Sequence, residues 1–250
     1  MNYERNKKYF DSMSQTNSAG KAVGITFGAI FILLGIIIMF LMFSEDESAA
    51  PGIVCFIVGV VLFSVGCSMK TSKILDSEID MELMQYFERQ NLKEKALDKL
   101  GLDESEVMEI APVYFDGYHY EGAQVKIGLD NKARSSLGRA VYFFFTKNEV
   151  HCYMHTVSLV ENFCSEDTDT YFYSDIVSVS TTMQSGSVTP VVQNNGFAGN
   201  QIQARTYQYD CFKLTTTGGT SVQASLRDKA GAERSINGMR NLIKAKKQNV

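Results

Sequence analysis

Two stretches decide how this chain is read: AVGITFGAIFILLGIIIMFLMF at 22–43 and GIVCFIVGVVLFSVGCSM at 52–69. The first is 22 residues long and the second 18, and neither carries a formal charge. A bilayer core about 30 Å thick is spanned by about 20 apolar residues of helix at 1.5 Å per residue. Lipid offers the backbone no hydrogen-bond partner, so each stretch is expected to satisfy itself as a helix. The eight residues SEDESAAP at 44–51 join them, which forces an antiparallel hairpin. A secretory leader does not fit, because its apolar core runs about 7 to 15 residues near the N-terminus. Here the run is longer, starts after about 20 polar residues and is followed by a second run.

Orientation is expected to follow the basic residues that flank the runs. Arg5, Lys7, Lys8 and Lys21 precede the first, and Lys70 and Lys73 follow the second. The connection has no base and holds Glu45, Asp46 and Glu47. The sequence therefore predicts a two-pass protein of the cytoplasmic (inner) cell membrane with both termini cytoplasmic. Gly24 and Gly28 form a GxxxG, Gly28 and Gly35 are seven apart, and so are Gly52, Gly59 and Gly66. Small residues at that spacing share a face and admit close backbone approach, either within the hairpin or between copies of it. No ionisable side chain lies inside either run, which argues against a pump or transporter.

The domain organisation follows: a tail at 1–21, the hairpin at 22–69, an amphipathic linker at 70–102 and a folded domain at 103–250. In the linker Ile79, Leu83, Phe87, Leu92, Ala96, Leu97 and Leu100 recur at helical steps among charged residues, and Gly101 is placed to cap the helix. Packing on the folded part and a self-associating stalk are both compatible with that pattern. Beyond it the texture becomes β-type. Strands are expected at 107–115, 122–129, 139–146, 150–157, 170–183, 207–216 and 220–226. Gly218-Gly219 between the last two is a strong hairpin signal. A terminal helix is expected at about 229–247, where Ile236, Met239, Leu242 and Ile243 make one stripe.

Seven strands and one final amphipathic helix, carried by YFYSDIVSVST (171–181), VYFFFTKNEVHCY (141–153) and AERSINGMRNLI (232–243), resemble the ground plan of a pleckstrin-homology-like domain over roughly 107–248. The arrangement is also similar to a bacterial class in which such domains follow transmembrane hairpins. The resemblance implies a fold class of transmembrane α-hairpin plus α+β domain, with a seven-stranded antiparallel barrel capped by the C-terminal helix. Inositol-phosphate recognition is not implied: the turn after the first strand, FDGYHYEGAQ (115–124), has two acids and no Lys or Arg. QSGSVTPVVQNNGFAGNQIQAR (184–205) is rich in Ser, Gly, Asn and Gln and is expected to be a mobile insertion, in which VTPVVQ could add as a strand to a partner.

Charge is unevenly spread around a net of -4. Residues 70–112 hold 6 bases and 11 acids, whereas 227–250 hold 7 bases and 2 acids. An acidic body argues against nucleic-acid binding. The basic terminal helix, with Lys244, Lys246 and Lys247, either touches anionic lipid or is simply solvated.

No catalytic, cofactor-binding or metal-binding residues are assigned. No GxSxG elbow, P-loop or dinucleotide fingerprint is present. The five cysteines, Cys55, Cys67, Cys152, Cys164 and Cys211, form no CxxC and no even framework. His151, Cys152 and His155 are the one cluster with ligand chemistry. On a strand the two imidazoles lie about 13 Å apart at 3.3 Å per residue, too far to share a zinc ion bound at about 2.1 Å. Asp175 sits among Tyr, Phe, Ile and Val, and alternation makes it an outward strand acid. Phe143, Phe144, Phe145, Tyr171, Phe172 and Tyr173 read as core. The expected role is non-enzymatic: a membrane-tethered interaction or scaffold protein presenting a protein-binding domain, able to self-associate. The alternative is a subunit of a membrane assembly (transport, envelope-stress or defence) that contacts its partners through the hairpin.

Overall fold

The computed structural model describes residues 1–11, 16–43, 50–68, 74–107, 109–188 and 204–248. By internal contact the chain forms two units, Asp11–Ile74 and a larger one made of Met1–Phe10 with Leu75–Val250.

The smaller unit is a pair of helices, α2 (Thr16–Phe43) and α3 (Ala50–Ser68). A Cβ built on Gly28 would stand 2.5 Å from the backbone nitrogen of Phe63, and one on Gly59 would stand 2.6 Å from that of Ile32. Only hydrogen fits between the helices at these two points, so the glycines set the close crossing. Apolar side chains on the other faces are exposed, among them Leu33, Ile37, Val54, Ile57 and Val61.

This unit corrects the first expectation. Among the described residues no helix is long and apolar enough to cross a membrane. The two-pass topology and the inner-membrane localisation read from the sequence are therefore not sustained, nor is the likeness to a membrane-anchored class.

In the larger unit the linker is two helices, α4 (Asp76–Arg89) and α5 (Leu92–Leu100). Asn91 between them adopts a left-handed φ of 46°, which breaks the helix at the five-residue step from Phe87 to Leu92. Gly101, at φ 65°, closes α5 through its N–H to Leu97 and Asp98, a conformation that favours glycine. Both helices bury their apolar stripes: Ile79, Leu83 and Phe87 on α4, then Leu92, Ala96 and Leu97 on α5.

Among the described residues nine strands follow: β1 (Val113–His119), β2 (Val125–Ile127), β3 (Ala133–Ser135), β4 (Leu137–Phe145), β5 (Glu149–Ser158), β6 (Cys164–Phe172), β7 (Ile176–Val188), β8 (Arg205–Thr216) and β9 (Ser221–Ser225). All pairings are antiparallel, in three sheets ordered β1-β4-β5-β6, β2-β3 and β7-β8-β9. The sheets are open, which corrects the expectation of a closed seven-stranded barrel. Where β1 meets β9 there is no ladder. The Ser225 hydroxyl donates to the Tyr118 carbonyl, and Arg227 N–H reaches the Asp116 carbonyl at 3.3 Å. At the other end β6 and β7 are separated by a 3-10 turn at Tyr173–Asp175 and join different sheets. That turn divides what reads in sequence as one long strand. Two strands have no counterpart in that expectation: β3, three residues long, and β6, whose CSEDTDT run at the sheet edge has no apolar alternation.

The core lies between the large and the three-stranded sheets. Phe115, Phe143 and Phe212 meet there at centroid distances of 4.8–6.2 Å. The stripe of α6 (Lys229–Gln248), Ile236, Met239 and Ile243, packs against the same cluster.

A charged hub ties the outer elements together. Arg134 on β3 is 2% exposed. Its Nε and Nη2 donate to Asp80 of α4 at 2.8 and 2.6 Å, and Nη1 and Nη2 donate to Asp130 at 2.9 Å. Tyr118 donates to Asp80, and Tyr9 donates to Asp76, each at 2.7 Å. Tyr9 belongs to α1 (Tyr3–Phe10), which is further fixed by Asn6 Nδ2 donating to the Leu159 carbonyl at 2.9 Å.

Candidate functional site

β5 carries the one sequence cluster with ligand chemistry, and it distributes those side chains to separate partners. Cys152 is fully buried in the main core, on the opposite face from the histidines. Burial pushes its thiol well above the ordinary range, so it is an inert packing residue. His151 Nδ1 lies 3.0 Å from the Thr170 hydroxyl, with Glu149 at 3.5 Å from Nε2. His155 is 1% exposed and contacts α4 instead. Its ring stacks on Tyr86 at 5.9 Å, and the Tyr86 hydroxyl stands 3.1 Å from Nε2. Burial raises the Tyr86 hydroxyl to about 12, so it stays protonated beside Nε2. His155 Nδ1 faces Glu166 Oε1 at 3.6 Å. Burial also lowers the pKa of both imidazoles, with Glu149 and Glu166 respectively opposing the shift. The Tyr86–His155 contact ties α4 to β5. The described residues contain no group of three metal-ligating side chains.

Asp175 lies in the 3-10 turn between β6 and β7, half-buried, with Ser174 Oγ donating to it at 3.1 Å. The cysteines are all free. Of the terminal lysines, Lys246 is engaged: its Nζ donates to Glu109 at 2.6 Å and to the Lys147 carbonyl at 3.0 Å. VTPVVQ begins at the last residue of β7, and the rest of it lies outside the described residues.

The feature that stands open to a partner is the edge of β7. The strand runs 13 residues, IVSVSTTMQSGSV, with no charge and no proline. Among the described residues it pairs only with β8. Its start is covered where Arg240 Nε of α6 donates to the Val179 carbonyl at 2.8 Å. That bond identifies the outward-facing backbone row, because N–H and C=O groups alternate sides along an antiparallel strand. Thr181, Met183, Ser185 and Ser187 share the parity of Val179 and turn their backbone groups outward. Natural edges are usually guarded by Lys, Pro or a covering element, and from Thr181 to Val188 no described residue supplies such a guard. The strand is backed by tyrosines. Tyr120 stacks with Tyr209 and Tyr207 at 4.2 and 5.2 Å, and Tyr207 lies over Gly186, where a Cβ would stand 2.4 Å from its ring. Tyr209 donates to Gln184 at 2.5 Å, and Gln184 donates on to Gln223 at 2.9 Å.

Two grooves flank the helices. One, about 510 Å³, runs along α4 past Arg5, Glu82, Tyr86 and Arg89, with Arg5 paired to Glu82 and to Glu78 at 3.4 Å. The other, about 390 Å³, lies between α4–α5 and the face of β1–β4.

No protein-family model, no curated protein and no solved structure matches the chain.

Proposed function

We propose that the chain is a non-catalytic protein-interaction module that takes up an extended peptide segment of a partner along the free edge of β7. The observation that carries this reading is the uncharged outward row from Thr181 to Ser187, which no other strand among the described residues pairs with. An extended segment adding there gains main-chain hydrogen bonds, while its alternate side chains meet Met183 on one face and the Gln184–Gly186 side on the other. Met183 is 64% exposed, so an apolar contact is ready on the solvent face.

The test is selection of extended peptides from a displayed library against the whole chain, followed by amide exchange of the complex. Binders are expected to protect the amides of 181, 183 and 185. Met183→Pro removes an outward N–H without breaking the β8 ladder, and is expected to abolish binding in a folded protein. Binders that leave those amides unprotected and bind the Met183→Pro protein equally well would refute the reading.

A second reading rests on a different observation, the exposed apolar side chains of α2 and α3. In it the chain is a subunit of a multi-protein assembly contacted through the helical pair. Deleting 11–74 would abolish assembly in this reading and leave it intact in the first.

A further inference from the structure

The groove between α4–α5 and β1–β4 has the composition of a cation site. Tyr114 and Tyr142 face one another across β1 and β4, ring centroids 4.6 Å apart and planes at 38°, with Tyr114 37% exposed. Asp116, two residues on, shares their face of β1. Its carboxylate is largely buried, at 13% side-chain exposure. Glu88 of α4 adds a second negative charge to the lining. The lining lysine, Lys93, is spent on Glu104 at 2.5 Å. Paired aromatic faces beside a desolvated carboxylate suit a planar cation, which can stack on the rings and bond the acid together.

One such cation is already present. Arg227 Nη2 lies 3.2 Å from Asp116 Oδ2. The Arg227 side chain is 51% exposed, whereas its backbone is pinned to the Asp116 carbonyl. The guanidinium can therefore swing into solvent without disturbing the strand. Burial raises the Asp116 carboxyl above its ordinary range even with Arg227 opposing, so the half-solvated guanidinium leaves the acid under-compensated.

We propose that this groove binds the guanidinium group of a partner protein's arginine, and that Arg227 fills the place when no partner is bound. The site is separate from the β7 edge and does not depend on it. Ligand binding moves Arg227 outward and seats the incoming guanidinium on Asp116, between the tyrosine rings and Glu88.

The test uses the full chain and N-acetyl-L-arginine-N-methylamide as probe, titrated by NMR. Resonances of Tyr114, Asp116 and Tyr142 are expected to shift. Arg227→Gln, which removes the internal competitor, should tighten binding about tenfold. Glu88→Gln, on the exposed face of α4, should weaken it several-fold, and inorganic phosphate should shift none of these resonances. If Arg227→Gln weakens the probe, or phosphate shifts the same resonances, Arg227 is a ligand for anions and the proposal fails. It fails equally if the Arg227→Gln protein shows no shift at saturating probe. Because that variant alters an exposed side chain, its fold is checked by the unchanged resonances of the Phe143–Phe212 core.

Discussion

Replacing Arg134 by methionine removes the one cation at which Asp80 and Asp130 converge, with Asp76 3.8 Å away. Breaking a buried pair by removing one partner costs about 3–5 kcal/mol when the remaining charge is fully desolvated. Here the arginine is 3% exposed, but the Asp80 and Asp130 side chains are 45% and 40% exposed, so water relieves part of the stranded charge. Two bidentate carboxylate contacts at about 1.5 kcal/mol each then give a loss near 3 kcal/mol, allowing for that solvent screening. For a body of this size that is a drop in Tm of about 6–12 °C. The pH dependence separates this cause from simple loss of packing. Hydrogen bonds from Arg134 hold the Asp130 carboxyl well below its ordinary value. A depressed carboxyl pKa contributes stability that is present above the ordinary value and is lost as pH falls through the folded one. The wild-type protein loses this contribution in acid, and the variant has none to lose. Urea melts at pH 7 and pH 3 should therefore show the gap between the two proteins narrowing in acid. A loss below 1 kcal/mol at pH 7, or a gap that holds or widens at pH 3, would refute the reasoning.

Phe212→Ala should cost about 3–5 kcal/mol by urea titration, because the ring is fully buried against Phe115 and Phe143. A cost under 2 kcal/mol would mean that the two sheets close over the gap. All three histidines have depressed pKa values in the folded state, burial being the first cause, and His119 falls to about 4. Stability is then complete above about pH 6.5 and declines from there toward pH 4, by roughly 1–2 kcal/mol for half-buried His119 after allowance for solvent. His119→Gln should flatten that decline in melts across pH 7.5–4.5. Gly59→Val places a branched side chain against the Ile32 backbone and should force α2 and α3 apart, read as faster amide exchange at 28–32. Unchanged exchange there would show that the crossing does not depend on the glycine.

Elements with strong local patterns were legible in the sequence. The runs at 139–146 and 150–157 coincide with β4 and β5, those at 207–216 and 220–226 with β8 and β9, and the stripe from Ile236 with α6. Periodicity failed where neighbours, not composition, decide the conformation. β6 is acidic and β3 is three residues long, so neither has an apolar alternation to find. Arg134 carries no pattern of its own in the sequence, because its partner Asp80 is brought to it only by the docking of α4. The β7 edge was half visible: its lack of charge is in the sequence, but that β8 is its one ladder partner among the described residues depends on sheet order. The tyrosine pair at 114 and 142 was hidden for the same reason, since register alone makes them neighbours.

The seating of α1 has a consequence for how the chain is made. Its anchor on Leu159 is 153 positions away along the chain, and its contact with Asp76 straddles the whole helical pair. At about 5–20 residues per second of synthesis, α1 waits on the order of ten seconds or more before its docking surface leaves the ribosome. The helical pair emerges in the interval, while the body that encloses it in sequence does not yet exist. Docking of α1 thus comes late in assembly, and a ligand or chaperone that captured this short helix in the interval would hold the body one contact short of completion.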